Sequence, residues 1–202
     1  MDICQAIDDP ALFRNWFRDA ETWKAWRAFL CALFALLMSS DQSAIYRECT
    51  GRKIAPASAF NEAWLVCGRR GGKSFTLSLI AVFLATFKDW RPYLAPGERG
   101  HIVVVAADRK QARVIMNYIR ALILQTPMIA ELVDRETSEE IELTNKIVIE
   151  VATCSFRTIR GRTIVAALAD EIAFWQSEGS ANPDYEVLDA IRPAMATVPG
   201  AM

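Results

Sequence analysis

One segment restricts the fold of this chain more than any other. The glycine-rich stretch Gly68 to Gly72 lies between a short apolar run, Ala63 to Cys67 (AWLVC), and a stretch free of glycine and proline, Lys73 to Phe87. Glycine reaches backbone conformations that side chains forbid, so the middle segment turns sharply. The run before it predicts a buried strand and the stretch after it a helix. The same alternation continues downstream. Ile102 to Ala106 (IVVVA) and Thr163 to Ala169 (TIVAALA) read as continuous apolar strands. Asp108 followed by Gln111 predicts a helix start, with the helix running to about Leu124. Glu140 to Thr144 and Ile147 to Ala152 flank Asn145-Lys146 as a hairpin. Asn182-Pro183-Asp184 opens a last helix that Pro193 is expected to end. Strands apolar on both faces, alternating with helices, argue for an α/β fold with a mainly parallel sheet flanked by helices.

Residues 1–60 have a different texture and predict a helical N-terminal segment, leaving 61–202 as the α/β core. Trp16, Trp23 and Trp26 precede the apolar run Ala28 to Met38, and their near-helical spacing reads as core packing. That run has 11 residues, whereas a membrane span needs about 20. It follows acidic sequence with no basic N-terminal region, which excludes a signal peptide. Ser39-Ser40-Asp41 break the pattern and offer an N-cap for a second helix stopping near Gly51, and Lys53 to Asn61 reads as a loop.

Composition closes further routes. Of 202 residues, 52% are apolar, which excludes a disordered chain. With 23 basic and 24 acidic side chains, any contact with a polyanion must come from a local cluster. The only histidine, His101, rules out multi-histidine metal sites and reads as structural. Cys4, Cys31, Cys49, Cys67 and Cys154 show no metal or redox spacing and read as buried thiols of a reducing compartment.

Cys67-Gly68-Arg69-Arg70-Gly71-Gly72-Lys73-Ser74 matches the phosphate-loop pattern except that Cys67 stands at the first glycine position. Between strand and helix, such a loop presents backbone N–H groups to phosphates. Lys73 would reach the terminal phosphates, and the Ser74 hydroxyl would join a magnesium shell. Roughly a hundred residues on, the strand ending in Ala169 runs into Asp170 and Glu171. Asp170 is a candidate for the metal's water shell, and Glu171 for orienting and deprotonating an attacking water. The pair points to Mg2+-dependent ATP hydrolysis coupled to mechanical work.

In order and spacing, CGRRGGKS, VVVAADRKQAR (Val103 to Arg113), SFRTIRGRTIVAALADEIAFW (Ser155 to Trp175) and Ser180 to Met202 resemble the ATPase region of the large terminase subunit of tailed bacteriophages. The resemblance implies a P-loop NTPase of the RecA-like, additional-strand type. It implies a motor driving double-stranded DNA into procapsids as a homo-oligomeric ring, with the portal protein and small terminase subunit as partners, in the host cytoplasm and away from membranes. Arg69 falls where that family carries an arginine able to reach the γ-phosphate; Arg70 completes the nucleotide loop. Arg160 and Gly161 fall in a nucleotide-sensing loop, and Gln111 in a structural or domain-coupling element. Tyr46 and Arg47 fall where the family places adenine contacts. Apart from the resemblance, Arg157, Arg160 and Arg162 form an acid-free basic cluster suited to sequence-independent DNA contact, or to pairing with the acidic stretch Glu131 to Glu142.

A RecA-like helicase or translocase would share these motifs, and so would a catalytically silent remnant that only binds nucleotide or partners. The family continues with a coupling-motif strand and a nuclease domain, and residues 61–202 carry neither. The expectation is a sheet cut before a central strand, with two unpaired edges that lower the chain's stability unless they pair with each other or with another chain.

Overall fold

The computed structural model describes residues 1–153, 161–176 and 183–202, and the chain forms two compact units, Met1–Val66 and Cys67–Met202. The expected division, between 60 and 61, lies a few residues earlier.

The first unit is helical: α1 (Ile3–Asp8), α2 (Lys24–Leu33) and α3 (Ser40–Thr50). Reciprocal side-chain caps start two of them, Asp2 with Gln5 on α1 and Ser39 with Gln42 on α3. α3 ends as expected, with Gly51 in the left-handed region at φ 68°. The apolar run Ala28 to Met38 is not one helix. α2 closes inside it because Ala35 turns left-handed (φ 51°), so that Leu36 N–H donates to the Cys31 carbonyl at 2.8 Å and Ala35 N–H to that of Ala32 at 3.3 Å. This pair of bonds satisfies carbonyls that a helix end would leave bare. Trp26 is buried, and rings meet edge-on in the pairs Phe17–Trp23 and Trp26–Phe29, at 4.6 and 5.9 Å.

The strand expected at Ala63 to Cys67 is absent. The segment carries no sheet pairing, and Trp64, Leu65 and Val66 are exposed, Val66 fully. An apolar run becomes a strand only where a neighbouring ladder takes up its N–H and C=O groups, and none of the described strands does so.

The second unit contains α4 (Lys73–Thr86), β1 (Gly100–Ala106), α5 (Arg109–Leu124), α6 (Pro127–Ala130), β2 (Val133–Glu136), β3 (Glu140–Leu143), β4 (Ile147–Thr153), β5 (Thr163–Ala169) and α7 (Pro183–Met195). The sheet order is β2-β3-β4-β1-β5, with β4, β1 and β5 parallel and β2 and β3 antiparallel additions at one edge. Sequence reading missed β2. Its four residues (VDRE) are mostly exposed and charged, as suits an edge strand. The expected hairpin joins β3 to β4, with Lys146 taking the positive φ of its turn.

β1 occupies the centre, buried from Ile102 to Ala106. Gly100 opens it between β4 and β5, where a Cβ would stand 2.9 Å from both Ile147 Cδ1 and Val165 Cγ1. Val103, Val105 and Ile164 pack with Trp175 and with Val187 and Ile191 of α7. α4 and α5 pack against each other and against the sheet. α4 is apolar nearly all round, which matches its burial, and Asp108 caps α5 as expected by accepting from the N–H groups of Lys110 and Gln111.

Pro193 does not end the last helix. It lies inside α7, two residues before Met195, where few intrahelical bonds remain for it to remove. At the outer edge of β5, Met202 N–H donates to the Val165 carbonyl at 3.2 Å and Ala167 N–H to the Met202 carbonyl at 2.8 Å, one rung of a parallel ladder. No helix among the described residues is long and apolar enough to cross a membrane.

Candidate functional site

β1, β4 and β5 run parallel, so their C-terminal ends open on one edge of the sheet, and β5 delivers Asp170 to that edge directly after Ala169. The main chain of Asp170 is pinned on both sides. Its N–H donates to the Val105 carbonyl at 2.8 Å, and its carbonyl accepts from the Trp175 indole N–H at 2.9 Å. Its carboxylate is buried, 5% of the residue remaining exposed, and Oδ2 accepts from the Ser74 hydroxyl at 2.9 Å. Burial pushes the Asp170 carboxyl above the ordinary carboxylate range, with Ser74 and the nearby Lys73 charge pulling the other way.

Glu171, the next residue, adopts the left-handed conformation at φ 54°, ψ 43°. For an L-residue with a side chain, that conformation costs about 1–2 kcal/mol. It leaves Glu171 Oε1 2.7 Å from Lys73 Nζ, with each side chain less than a third exposed. This contact holds the Lys73 ammonium above its usual range, the hydrogen bond from Lys73 to Glu171 contributing most. Lys73 and Ser74 are the first two residues of α4, so the helix start and the strand end are joined by two side-chain contacts across 98 and 96 positions of sequence.

The loop ahead of α4 doubles back on itself. Gly71 N–H donates to the Gly68 carbonyl at 3.3 Å, Arg70 takes φ 61°, and Gly72 takes φ 82° as N-cap. A Cβ on Gly71 would meet Cys67 Sγ at 2.7 Å and the Gly68 carbonyl at 3.2 Å, so a side chain there would have to displace the sulfur. Gly68 has open space around it, and Cys67, at the variant first position of the pattern, is half-buried with its sulfur against Gly71. Arg69 and Arg70 are exposed, and neither is paired with a carboxylate among the described residues.

The other expected site residues have surroundings of their own. Arg162 is ion-paired with Glu150 of β4. Glu150 is buried, and its carboxylate takes the guanidinium as counter-charge, so Arg162 is not an open member of a basic cluster and its partner lies outside Glu131 to Glu142. Arg157 and Arg160 lie outside the described residues. Tyr46 and Arg47 belong to the first unit, where Tyr46 is buried and Arg47 is exposed in the last turn of α3. Gln111 is in the first turn of α5, its N–H held by Asp108.

His101 stands beside Glu150 at 3.9 Å, and burial, with the charges of Arg162 and Arg99, lowers its pKa to about 4. It is neutral at ordinary pH, consistent with a structural role. Sequence reading missed the indole bond from Trp175 to Asp170. The only signal was a tryptophan at the end of ADEIAFW, a stretch that names no partner.

Among the described residues no three His, Cys, Asp or Glu side chains converge to hold a metal. The oxygens offered are the Ser74 hydroxyl and the Asp170 carboxylate, which suits an ion that keeps waters and shares substrate oxygens better than one needing a full protein cage.

No family model matches this sequence, and no curated protein matches it either. Among solved structures, the crystal structure of the HK97 bacteriophage large terminase has a similar fold, with a TM-score of 0.54 at 16% identity. The match covers 88% of this chain and 36% of that one.

Proposed function

We propose that this chain is the ATP-hydrolysing region of a terminase-like DNA-packaging motor. The observation that carries the reading is the double contact of Lys73 with Glu171 and Ser74 with Asp170, which brings the two sequence motifs of a nucleotide hydrolase to one point. The fold likeness to a phage large terminase supports it at the level of architecture.

Mg2+ fits the residues present. Asp170 is a buried carboxylate whose charge is offset by Ser74, the nearby Lys73 and the Glu171 main-chain N–H, and the adjacent hydroxyl supplies a second hard oxygen. Ser74 and Asp170 would hold the ion, which when bound neutralises charge on the phosphate oxygens. Lys73 exchanges Glu171 for the phosphates of ATP, and the amides of Gly68 to Gly72 with the start of α4 cradle them. Glu171, released from Lys73, orients a water and takes its proton. Its backbone is fixed between the pinned Asp170 and the turn at Ile172–Phe174, so the base is held by main chain. Arg69, exposed on the loop, offsets charge developing on the γ-phosphate.

Double-stranded DNA, a portal protein, a small terminase subunit and further copies of the chain in a ring, at a procapsid in the host cytoplasm, are the partners of that role. Phosphate release from ATP, with and without duplex DNA, tests the reading in wild type and Lys73→Ala. Turnover in wild type that disappears in the variant is expected. Equal turnover in both would overturn it.

A further inference from the structure

The first unit carries a feature that the nucleotide site does not use. Cys4 of α1 and Cys31 of α2 bring their sulfurs to 3.5 Å, in hydrogen-bonding contact with each other. Both line an open pocket of about 680 Å³, together with Asp2, Gln5, Leu36 and Leu37. Cys31 is 3% exposed and Cys4 half-buried, so the pair is shielded from bulky reagents but reached through the pocket. The expectation that every cysteine is a buried thiol therefore fails here, as it does at exposed Cys49 and half-buried Cys67.

We propose that Cys4 and Cys31 form a peroxide-reactive dithiol site that closes to a disulfide tying α1 to α2. The chemistry of the pair favours this. A disulfide needs sulfurs about 2.05 Å apart, so from the present contact of 3.5 Å about 1.5 Å is left to close. The contact between the two sulfurs, in which either can donate, pulls Cys31 below the usual thiol range against the opposing effect of its burial and, together with burial, pushes Cys4 above it; the Arg27 charge also pulls Cys31 down. Of the two, Cys31 is the sulfur that ionises more readily, which makes it the attacking one and Cys4 the resolving one. While protonated, Cys31 Sγ donates to Gln42 Oε1 at 3.9 Å, which orients the side chain before it ionises.

The steps balance with hydrogen peroxide as oxidant. Cys31 releases its proton to solvent and attacks one peroxide oxygen as the thiolate, the O–O bond breaks, and the departing hydroxide takes a proton back from solvent to leave as water, giving a sulfenic acid on Cys31. Cys4 gives up its proton and attacks that sulfur. The S–O bond breaks, a second water leaves, and the S–S bond forms. Two thiols lose two electrons in all, and one peroxide becomes two waters.

The test treats the full chain with one equivalent of hydrogen peroxide, blocks remaining thiols with N-ethylmaleimide, and maps tryptic peptides by mass spectrometry. Cleavage at Arg14, Arg27 and Arg47 places Cys4 and Cys31 in separate peptides. The expected result is a 1–14/28–47 cross-link that forms before Cys49 and Cys67 are modified and is lost on adding dithiothreitol. Cys4→Ser and Cys31→Ser should each abolish it, and the oxidised wild type should melt at higher temperature. A cross-link through Cys49 or Cys67 instead, or full alkylation of Cys4 and Cys31 after peroxide, would overturn the proposal. The wild-type map decides the matter even if a serine variant folds poorly, and it does not depend on the nucleotide site.

Discussion

Lys73 and Glu171 neutralise each other at 2.7 Å, with side-chain exposures of 30% and 24%. Nucleotide phosphates must therefore displace a carboxylate before they gain the lysine. Replacing Glu171 by Gln keeps the shape and a hydrogen-bond acceptor but removes the competing charge. Exposed ion pairs contribute up to about 1 kcal/mol, and this one, partly shielded, sits near the upper end. Removing 1 kcal/mol of competition corresponds to about a fivefold gain in affinity. The same substitution removes the candidate base, which contributes about 10²–10⁴ in rate. Calorimetric titration with Mg-ATP should show Glu171→Gln binding about fivefold tighter than wild type, while phosphate release falls at least about a hundredfold. Weaker binding by the variant would refute the idea that Glu171 holds Lys73 in reserve, and retained turnover would refute its role as base.

Asp170→Asn should stabilise the metal-free chain. A buried carboxylate carries an effective penalty of several kcal/mol, of which the Ser74 bond returns about 1.5–3, leaving a net gain of about 1 kcal/mol and a melting point higher by about 2–4 °C. Adding Mg2+ should raise the melting point of wild type but not of the variant; a variant less stable than wild type without metal contradicts this. Gly71→Ala should destabilise by about 1–2 kcal/mol, because its Cβ meets Cys67 Sγ at 2.7 Å and the Gly68 carbonyl at 3.2 Å. Cys67→Ala should restore most of that loss in a double-mutant cycle, and strict additivity would show that the sulfur is not the obstacle.

His101 gives a pH dependence with a fixed sign. Its pKa is about 4 when folded against an ordinary 6.5, so between these values the unfolded chain holds a proton that the folded one refuses. Stability falls as pH drops through that window, by at most about 3 kcal/mol from this residue. Urea midpoints from pH 7 to pH 4 should decline less steeply in His101→Asn. Identical slopes would remove His101 from the explanation.

Local chemistry makes much of this fold legible in the sequence. The break at Ser39-Ser40-Asp41, Asp108 with Gln111, and Gly51 each act within a few residues of themselves, and each helix start or stop forms where its sequence places it. β1 and β5 are legible because a strand covered on both faces has no polar side to hide.

The failures share a cause at longer range. Ala63 to Cys67 has the composition of a strand, but pairing depends on a partner that no local pattern names. β2 has the partner without the composition, its charged residues extending the sheet at an edge. Ala35 ends α2 in a left-handed turn although nothing but its backbone marks it as a helix stop. Arg162 stands among arginines close in sequence, whereas its counter-charge comes from Glu150 across the sheet. The nucleotide site divides the same way. Each motif is readable alone, but the pairing of Lys73 with Glu171 and the Trp175 bond to Asp170 emerge only when strand and helix come together.

A crystal structure of the chain with Mg2+ and a non-hydrolysable ATP analogue tests the nucleotide site most directly. The expected result is the analogue's phosphates in the Gly68 to Gly72 loop, Lys73 turned from Glu171 onto them, and the ion on Ser74 and Asp170. An intact Lys73–Glu171 pair with the analogue bound elsewhere, or not at all, would contradict the assignment.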